Sequence, residues 1–181
     1  SPCMLKELGI KLVMIGHSER RHVFGESDAE ENRKVKSALK HGIRPLLCIG
    51  ETAEEKKYGI SGEILRQQLK IGFYEIDPEE CKNIWVAYEP VWSIGVNGIP
   101  ATAEYAQKMH MEIKKALREI FGDNAEQIPV LYGGSVNPEN ADQLILQPAI
   151  DGLFVGRAAW DAEAFDKLIR HSIHTYKQNN I

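Results

Sequence analysis

The sequence predicts an α/β fold in which a parallel sheet is flanked by helices. Five short apolar runs recur along the chain, segments of helical period lie between them, and the two kinds of segment alternate. The runs are almost continuously apolar, which is typical of strands buried on both faces of a parallel sheet. The alternation fits either an open, doubly wound sheet or part of a barrel, and no linker rich in Pro, Gly and Ser marks a domain boundary.

The predicted elements follow one another as strand and helix. The strands cover residues 12–16, 44–50, 84–88, 128–132 and 151–155. The amphipathic helices cover residues 28–41, 63–69 and 104–121, and further helices are expected before residue 144 and at the end of the chain.

Glycine, proline and aspartate mark the ends of several predicted helices. The first and third amphipathic helices stop at Gly42 and Gly122, as helices often do at a C-terminal glycine. Asn137 followed by Pro138 predicts an N-cap and the first position of a short helix, and Asp161 is expected to cap the last helix.

Composition argues against several classes of function. The 181 residues include 22 Lys and Arg against 26 Asp and Glu, a net charge of −4, and no basic run could match the backbone of a nucleic acid. No apolar stretch approaches the roughly 18 residues of a membrane helix. The sequence therefore predicts no nucleic-acid partner, no membrane span and no secretory signal.

The distribution of cysteine and histidine predicts neither disulfides nor a metal site. Cys3, Cys48 and Cys81 are far apart in sequence and form no CxxC motif, which favours a reducing, cytoplasmic environment. Only His171 and His174 share a helical face, and no third ligand lies near them in sequence.

Two side chains that follow predicted strands are candidates for acid–base chemistry. In parallel α/β folds the functional groups collect at the carboxyl ends of the strands, where His17 and Glu89 both lie. An imidazole and a carboxylate in one mouth could move a proton between carbon atoms while polarising a carbonyl. From spacing alone the alternative stays open that His17 is a helix-capping or core-edge polar residue and Glu89 a surface ion-pair partner.

Glycine-rich strings after the last two strands are candidates for binding a phosphate. Free backbone N–H groups beside Ser135 and Gly156 could bind an anion at a helix start, although strand-to-helix turns use glycine in any case.

Residues 90–101 combine stiff proline ends with an apolar tip. This pattern predicts a lid that excludes water from the site, with an ordinary packed loop as the alternative.

Five strings in a fixed order resemble the triosephosphate isomerase family. They are GHSERR at 16–21, CIGET at 48–52, AYEPVW at 87–92, YGGSV at 132–136 and DGLFVG at 151–156. The resemblance spans nearly the whole chain. It implies a (β/α)8 TIM barrel of which residues 1–181 cover about strands 4 to 8.

The resemblance implies an aldose–ketose isomerase of small phosphorylated sugars that works through an enediol, as in glycolysis and gluconeogenesis. Of the reactions in this family, the resemblance favours the conversion of dihydroxyacetone phosphate to glyceraldehyde 3-phosphate. Glu89 would be the base, His17 a neutral electrophile and Glu19 a supporting carboxylate, as in the family. Arg20 and Glu26 would form a structural ion pair.

The resemblance also implies the phosphate ligands and the partners. Gly95, Ser135, Gly156 and Arg157 would offer backbone N–H groups to the substrate phosphate. No metal or organic cofactor is implied. The intact protein is expected to be a cytoplasmic homodimer whose partner is otherwise only its small sugar-phosphate substrate.

Three departures from the family pattern lead to further expectations. The lid segment is one residue longer and lacks its usual lysine, and Arg157 stands where the family has a second glycine. Both features resemble the branch of erythrulose phosphate isomerases, which act on four-carbon substrates. No Asn-x-Lys string precedes His17, so we expect a single barrel domain that lacks about three N-terminal β/α units. A truncated, non-catalytic phosphate-binding remnant is the alternative.

Overall fold

The structure, a computed structural model, describes residues 1–95 and 98–179, and these contain one parallel sheet of five strands. The strands are β1 (Leu12–Ile15), β2 (Arg44–Ile49), β3 (Trp85–Tyr88), β4 (Val130–Tyr132) and β5 (Gly152–Leu153). Each predicted apolar run contains one of them. The prediction of five parallel strands is therefore confirmed, with ends up to two residues shorter than expected.

The order of the strands decides between the two architectures that the sequence leaves open. Each strand pairs in parallel with the next one along the chain, from β1 to β5. A doubly wound sheet reverses its strand order at a switch point, whereas a barrel adds its strands in sequence. The uninterrupted order is that of a segment of a barrel.

Eight α-helices lie within the described residues. They are α1 (Pro2–Glu7), α2 (Ser18–His22), α3 (Asp28–Lys40), α4 (Ala53–Lys57), α5 (Ser61–Gly72), α6 (Ala103–Phe121), α7 (Ala141–Ile145) and α8 (Ala162–Asn179). Short 3-10 turns cover Pro78–Asn83, Val91–Ser93, Gly122–Gln127 and Arg157–Ala159. Among these helices, none is both long and apolar enough to cross a membrane.

The ends of the long helices agree with the predicted signals. A capping box formed by Ser27 and Glu30 begins α3, and Gly42 follows this helix with a φ of +69°. Gly122 ends α6 with a φ of +58°. Asp161 caps α8, because its Oδ1 accepts a hydrogen bond from the backbone N–H of Ala164 at 2.8 Å.

The predicted start of the helix before residue 144 is wrong. The helix α7 begins at Ala141, and Asn137 instead closes a turn, since its Oδ1 accepts hydrogen bonds from the backbone N–H groups of Glu139 and Asn140, both at 3.0 Å. The sequence pattern also missed α1, α2 and α4. Helices of five or six residues are too short to show a helical period.

The two faces of the sheet have different surroundings. Leu47, Val86 and Tyr88 belong to the large core that the helices complete, whereas Leu46 and Cys48 on the alternate face belong to a smaller cluster. Paired residues of neighbouring parallel strands point to the same face. The smaller cluster therefore marks the interior side of the barrel segment.

Candidate active site

His17 lies at the turn between β1 and α2, and its ring orientation is defined by the backbone. Gly16 has a φ of +76°, and a Cβ there would lie 2.8 Å from Nη2 of Arg21, so the turn requires glycine. The Nδ1 atom of His17 accepts a hydrogen bond from the N–H of Glu19 at 3.3 Å, which caps α2. In a neutral imidazole the proton then belongs on Nε2.

The Nε2 atom of His17 faces the carboxylate of Glu89. The distance from Nε2 to Oε1 is 3.4 Å, although 72 positions of sequence separate the two residues. His17 therefore both caps a helix and lies beside Glu89, so the two interpretations of this residue are compatible. The expectation that both side chains meet at the ends of parallel strands agrees with this geometry.

Glu89 is a buried carboxylate directly after β3, not a surface residue. Its exposed fraction is 4%, and its Oε2 atom has no hydrogen-bond partner among the described residues. Burial raises the pKa of Glu89 above the usual value for a glutamate, while His17, the Cys48 thiol and Arg21 each oppose that rise. A desolvated carboxylate with a free oxygen is a stronger base than one in water.

Glycines give Glu89 the space that it occupies. A Cβ at Gly50 would lie 1.9 Å from the backbone oxygen of Glu89, and a Cβ at Gly133 would lie 2.9 Å from its Cγ. At Gly134 a Cβ would lie 2.1 Å from the hydroxyl of Tyr132. The glycines after β2 and β4 are thus required by close packing, whether or not they also bind a ligand.

Of the two arginines of α2, Arg21 joins the strand ends around the site and Arg20 forms an ion pair. Arg21 donates hydrogen bonds to the backbone oxygens of Gly16 at 2.7 Å and of Cys48 at 3.1 Å, and it pairs with Asp28. Arg20 pairs with Glu26, with a distance of 3.0 Å from Nε to Oε1. The expected ion pair of Arg20 and Glu26 is therefore present.

Glu19 contacts the site through its backbone more than through its carboxylate. Its N–H group orients the ring of His17, and its side chain is exposed. The charge of that side chain is the weakest of the influences that raise the pKa of Glu89.

Glu51 anchors the segment after Glu89, a role that the sequence pattern did not predict. Its buried carboxylate accepts hydrogen bonds from Nε1 of Trp92 at 2.8 Å and from the hydroxyls of Tyr105 at 2.9 Å and Tyr88 at 3.0 Å. The one available signal was its position, because Glu51 follows β2 at the sheet edge where His17 and Glu89 lie.

The segment after Trp92 is tied to the loop after β4. Ser135 donates a hydrogen bond from Oγ to the backbone oxygen of Ser93 at 2.6 Å, and its N–H group lies 3.4 Å from Oγ of Ser93. Val96 and Asn97, within the predicted lid, lie outside the described residues. The described ends of the lid segment are therefore joined to the sheet edge by Trp92 and Ser93.

The structure brings two of the expected phosphate ligands into direct contact. Nη2 of Arg157 donates a hydrogen bond to the backbone oxygen of Gly95 at 2.6 Å. Among the described residues other than the chain neighbours of each glycine, no heavy atom lies within 4 Å of the position that a Cβ would take at Gly95 or at Gly156. Over residues 1–95 and 98–179, no group of three His, Cys, Asp or Glu side chains is arranged to hold a metal ion.

Comparison with known proteins identifies the family. The family model described as triosephosphate isomerase matches residues 1–172. The chain belongs to the triosephosphate isomerase family. Within this family, the five parallel strands in chain order are part of the TIM barrel.

Curated relatives in the family carry two different names. The chain is 50% identical over 166 residues to an L-erythrulose-1-phosphate isomerase of Rhizobium etli, covering 91% of this chain and 61% of the relative. It is 44% identical over 172 residues to a triosephosphate isomerase of Chloroflexus aurantiacus, covering 94% and 68%. A triosephosphate isomerase of Protochlamydia amoebophila is 48% identical, with 92% and 63% covered. The chain thus spans about three fifths to two thirds of the length of these relatives.

Proposed function

We propose that this chain carries the proton-transfer site of an aldose–ketose isomerase that acts on small phosphorylated sugars. The proposed reaction is that of triosephosphate isomerase, which interconverts dihydroxyacetone phosphate and glyceraldehyde 3-phosphate. The observation that carries the proposal is the pair of His17 Nε2 and Glu89 Oε1 at 3.4 Å, with Glu89 buried and its Oε2 free. Membership of the family supports it.

In the proposed reaction, Glu89 moves the proton and His17 stabilises the charge that develops. Glu89 removes a proton from the carbon beside the carbonyl, and the electrons of that C–H bond form the enediolate. The Nε2–H of His17 donates a hydrogen bond to the oxygen that gains negative charge. Glu89, now protonated, returns the proton to the neighbouring carbon. This division of roles is the one known for the family.

Backbone N–H groups are the proposed ligands of the substrate phosphate. Gly95, Ser135, Gly156 and Arg157 lie in the loops after β3, β4 and β5. Barrel enzymes frequently bind a phosphate at the loops after their last strands. Within the described part of the chain, no heavy atom apart from chain neighbours lies within 4 Å of a Cβ position at Gly95 or Gly156, and this supports the assignment.

The role of the base is tested by changing Glu89 to Gln. The amide keeps the shape of the side chain but accepts no proton, so we expect kcat to fall by about a thousandfold or more. Affinity for inorganic phosphate should change less than about twofold. The exposed Glu126→Gln variant, in the turn after α6, is the matched control, and steady-state turnover with phosphate titration provides both values.

The same measurement separates catalysis from simple binding. Retained turnover in the Glu89→Gln protein would contradict the assignment of the base. A wild-type chain that binds phosphate without turnover would instead support the interpretation of a non-catalytic phosphate-binding protein.

A four-carbon substrate is the second candidate. It is favoured by the identity to relatives named L-erythrulose-1-phosphate isomerase and by Arg157, which stands where the family pattern has a second glycine. The two candidates are separated by comparing kcat/KM for three- and four-carbon keto phosphates. A clear preference for the triose would contradict the four-carbon assignment.

Association into a homodimer and a cytoplasmic location belong to the same proposal. Val23 and Phe24 are exposed apolar side chains at the C-terminal end of α2, and they offer a surface for a second chain. Cys3, Cys48 and Cys81 are free thiols, which suits a reducing compartment. Sedimentation of the Phe24→Lys variant against the unmodified protein tests the dimer.

A further inference from the structure

The side chain of Arg157 joins two loops that the sheet holds apart. Gly95 lies beyond the 3-10 turn after β3, and Arg157 begins the 3-10 turn after β5. Strand β4 lies between β3 and β5, so the hydrogen bond from Nη2 to the oxygen of Gly95 spans the end of one whole strand. This bond connects residues 62 positions apart.

The bond completes the anchoring of the turn formed by residues 91–95. Trp92 is held at the start of this turn by Glu51, and Ser93 is held in its middle by Ser135. Gly95 has a φ of +82° and no side chain with which to pack, so its position depends on its backbone contacts. Its oxygen accepts hydrogen bonds from Arg157 at 2.6 Å and, less closely, from the N–H of Gly98 at 3.3 Å.

The charge of Arg157 is unpaired, unlike that of the other arginines near the site. Arg20 pairs with Glu26 and Arg21 with Asp28, whereas Arg157 forms no ion pair with any carboxylate of the described residues. Its guanidinium carries five N–H donors, of which one faces Gly95. This one hydrogen bond brings the unpaired guanidinium to the backbone of Gly95.

We propose that Arg157 is a positioning residue that holds the 91–95 turn in place through the oxygen of Gly95. The N–H group of Gly95 is then presented to the substrate phosphate in a fixed orientation. The inference rests on the proposed function, because the phosphate gives the turn its role. Beyond the proposed function, we expect the order of the 91–95 turn to depend on the length and the charge of the Arg157 side chain.

Hydrogen exchange tests the link without any turnover. The N–H groups of Ser93 and Ile94 are hydrogen-bonded within the turn, to Pro90 at 2.8 Å and to Val91 at 3.5 Å. In the Arg157→Met protein we expect exchange of the peptide containing residues 91–95 to become at least about fivefold faster before any ligand is added. Arg157→Lys, which keeps a donor and the charge, should restore part of the protection.

Titration with inorganic phosphate and steady-state kinetics provide the second readout. We expect the Arg157→Met protein to bind phosphate about tenfold more weakly and to raise KM by more than it lowers kcat. The matched control is Arg118→Met, an exposed arginine on α6 that pairs with Glu126 and should alter neither value. A thermal unfolding curve confirms that each variant is folded.

The positioning role of Arg157 and the proposed function are contradicted by different results. If exchange of residues 91–95 is the same in wild-type and Arg157→Met proteins, the positioning role is wrong, even where phosphate affinity falls. If Arg157→Met accelerates exchange while the wild-type chain isomerises no sugar phosphate, the positioning role stands and the proposed reaction fails.

Discussion

At the scale of single residues, burial controls the two titratable groups that matter most. Glu89 is held as a carboxylate in a dry position, where its raised pKa makes it a better base but costs stability when it is charged. His110 is also fully buried, yet it lies on the helical side of the sheet, in contact with the rings of Tyr88 and Tyr132. Burial thus changes the basicity of Glu89, which bears on the proposed reaction, whereas at His110 it affects only the stability of the fold.

His110 makes the stability of the chain depend on acid pH. Its Nδ1 lies 3.2 Å from the oxygen of Ala149, its Nε2 has no partner among the described residues, and burial lowers its pKa to about 3. An unfolded histidine titrates near 6.5, so between about pH 6.5 and pH 3 the unfolded chain binds a proton that the folded chain excludes. Stability should therefore fall as the pH falls through this range, by up to about 1.4 kcal/mol per pH unit from this group.

The His110→Gln variant checks this dependence. Above pH 7 it should be less stable than the unmodified protein, because a buried hydrogen bond and ring packing are lost, and the difference should shrink as the pH approaches 4. Urea unfolding at several pH values gives the curve, with the exposed His174→Gln variant as the control. A difference that is constant with pH would show that His110 is not buried in the neutral form.

At the scale of elements, short segments are held by side chains that arrive from elsewhere. The 3-10 turn Val91–Ser93 has three residues and no capping side chain of its own. Its order comes from contacts to the side chain of Trp92. Glu51 accepts a hydrogen bond from Nε1 of Trp92, the ring of Tyr105 packs against the ring of Trp92 at 5.4 Å between centroids, and Nζ of Lys56 lies 3.2 Å from the centroid of the Trp92 ring. A turn this short has no stability by itself, so it forms where the neighbouring elements place its partners.

Replacing Glu51 with Ala should release this turn. Three donors, on Tyr88, Trp92 and Tyr105, would lose their shared acceptor, and hydrogen bonds to a charged group contribute about 1.5 to 3 kcal/mol each. We expect a loss of at least about 3 kcal/mol in the free energy of unfolding, together with lower turnover. Chemical denaturation measures the first quantity, and Glu54→Ala on α4, whose partner is the exposed Tyr58, is the control.

At the scale of the whole molecule, the site exists because neighbouring strand ends approach closely. The strands β2 and β3 are paired up to Ile49 and Tyr88, and the N–H of Glu89 continues the pairing with a hydrogen bond to the oxygen of Ile49 at 2.7 Å. Gly50 then lies against the backbone of Glu89. The position of the proposed base is therefore a property of the sheet, not of the loop that follows it.

Gly50→Ala is expected to disturb the fold and the site together. A Cβ at 1.9 Å from a backbone oxygen cannot be accommodated by rotating a side chain, so β2 and β3 must separate at their ends. We predict a loss of about 2 to 3 kcal/mol in stability and at least a tenfold fall in turnover. In α5, Gly62→Ala meets only ordinary contacts at 3.9 Å and should leave both values unchanged or raise stability. Equal effects of the two variants would contradict this account.

Elements whose signals are local could be predicted from the amino-acid sequence alone. The five strands followed from continuous apolar runs, the long helices from their period and their caps, and the candidate pair of His17 and Glu89 from their positions after strands. Where a local signal had two meanings, as at Asn137, the prediction was wrong by three residues, because a side chain that caps a turn resembles one that caps a helix.

The way in which these elements meet depends on contacts between distant residues. The sequential strand order, the burial of Glu89, the three donors on Glu51 and the bond from Arg157 to Gly95 all join residues that are tens of positions apart. Periodicity and capping report on neighbours along the chain, whereas desolvation and hydrogen bonding depend on which surfaces the packed sheet brings together. The residue types of this chain therefore indicate its chemistry, whereas the distances between those residues depend on how the barrel segment packs.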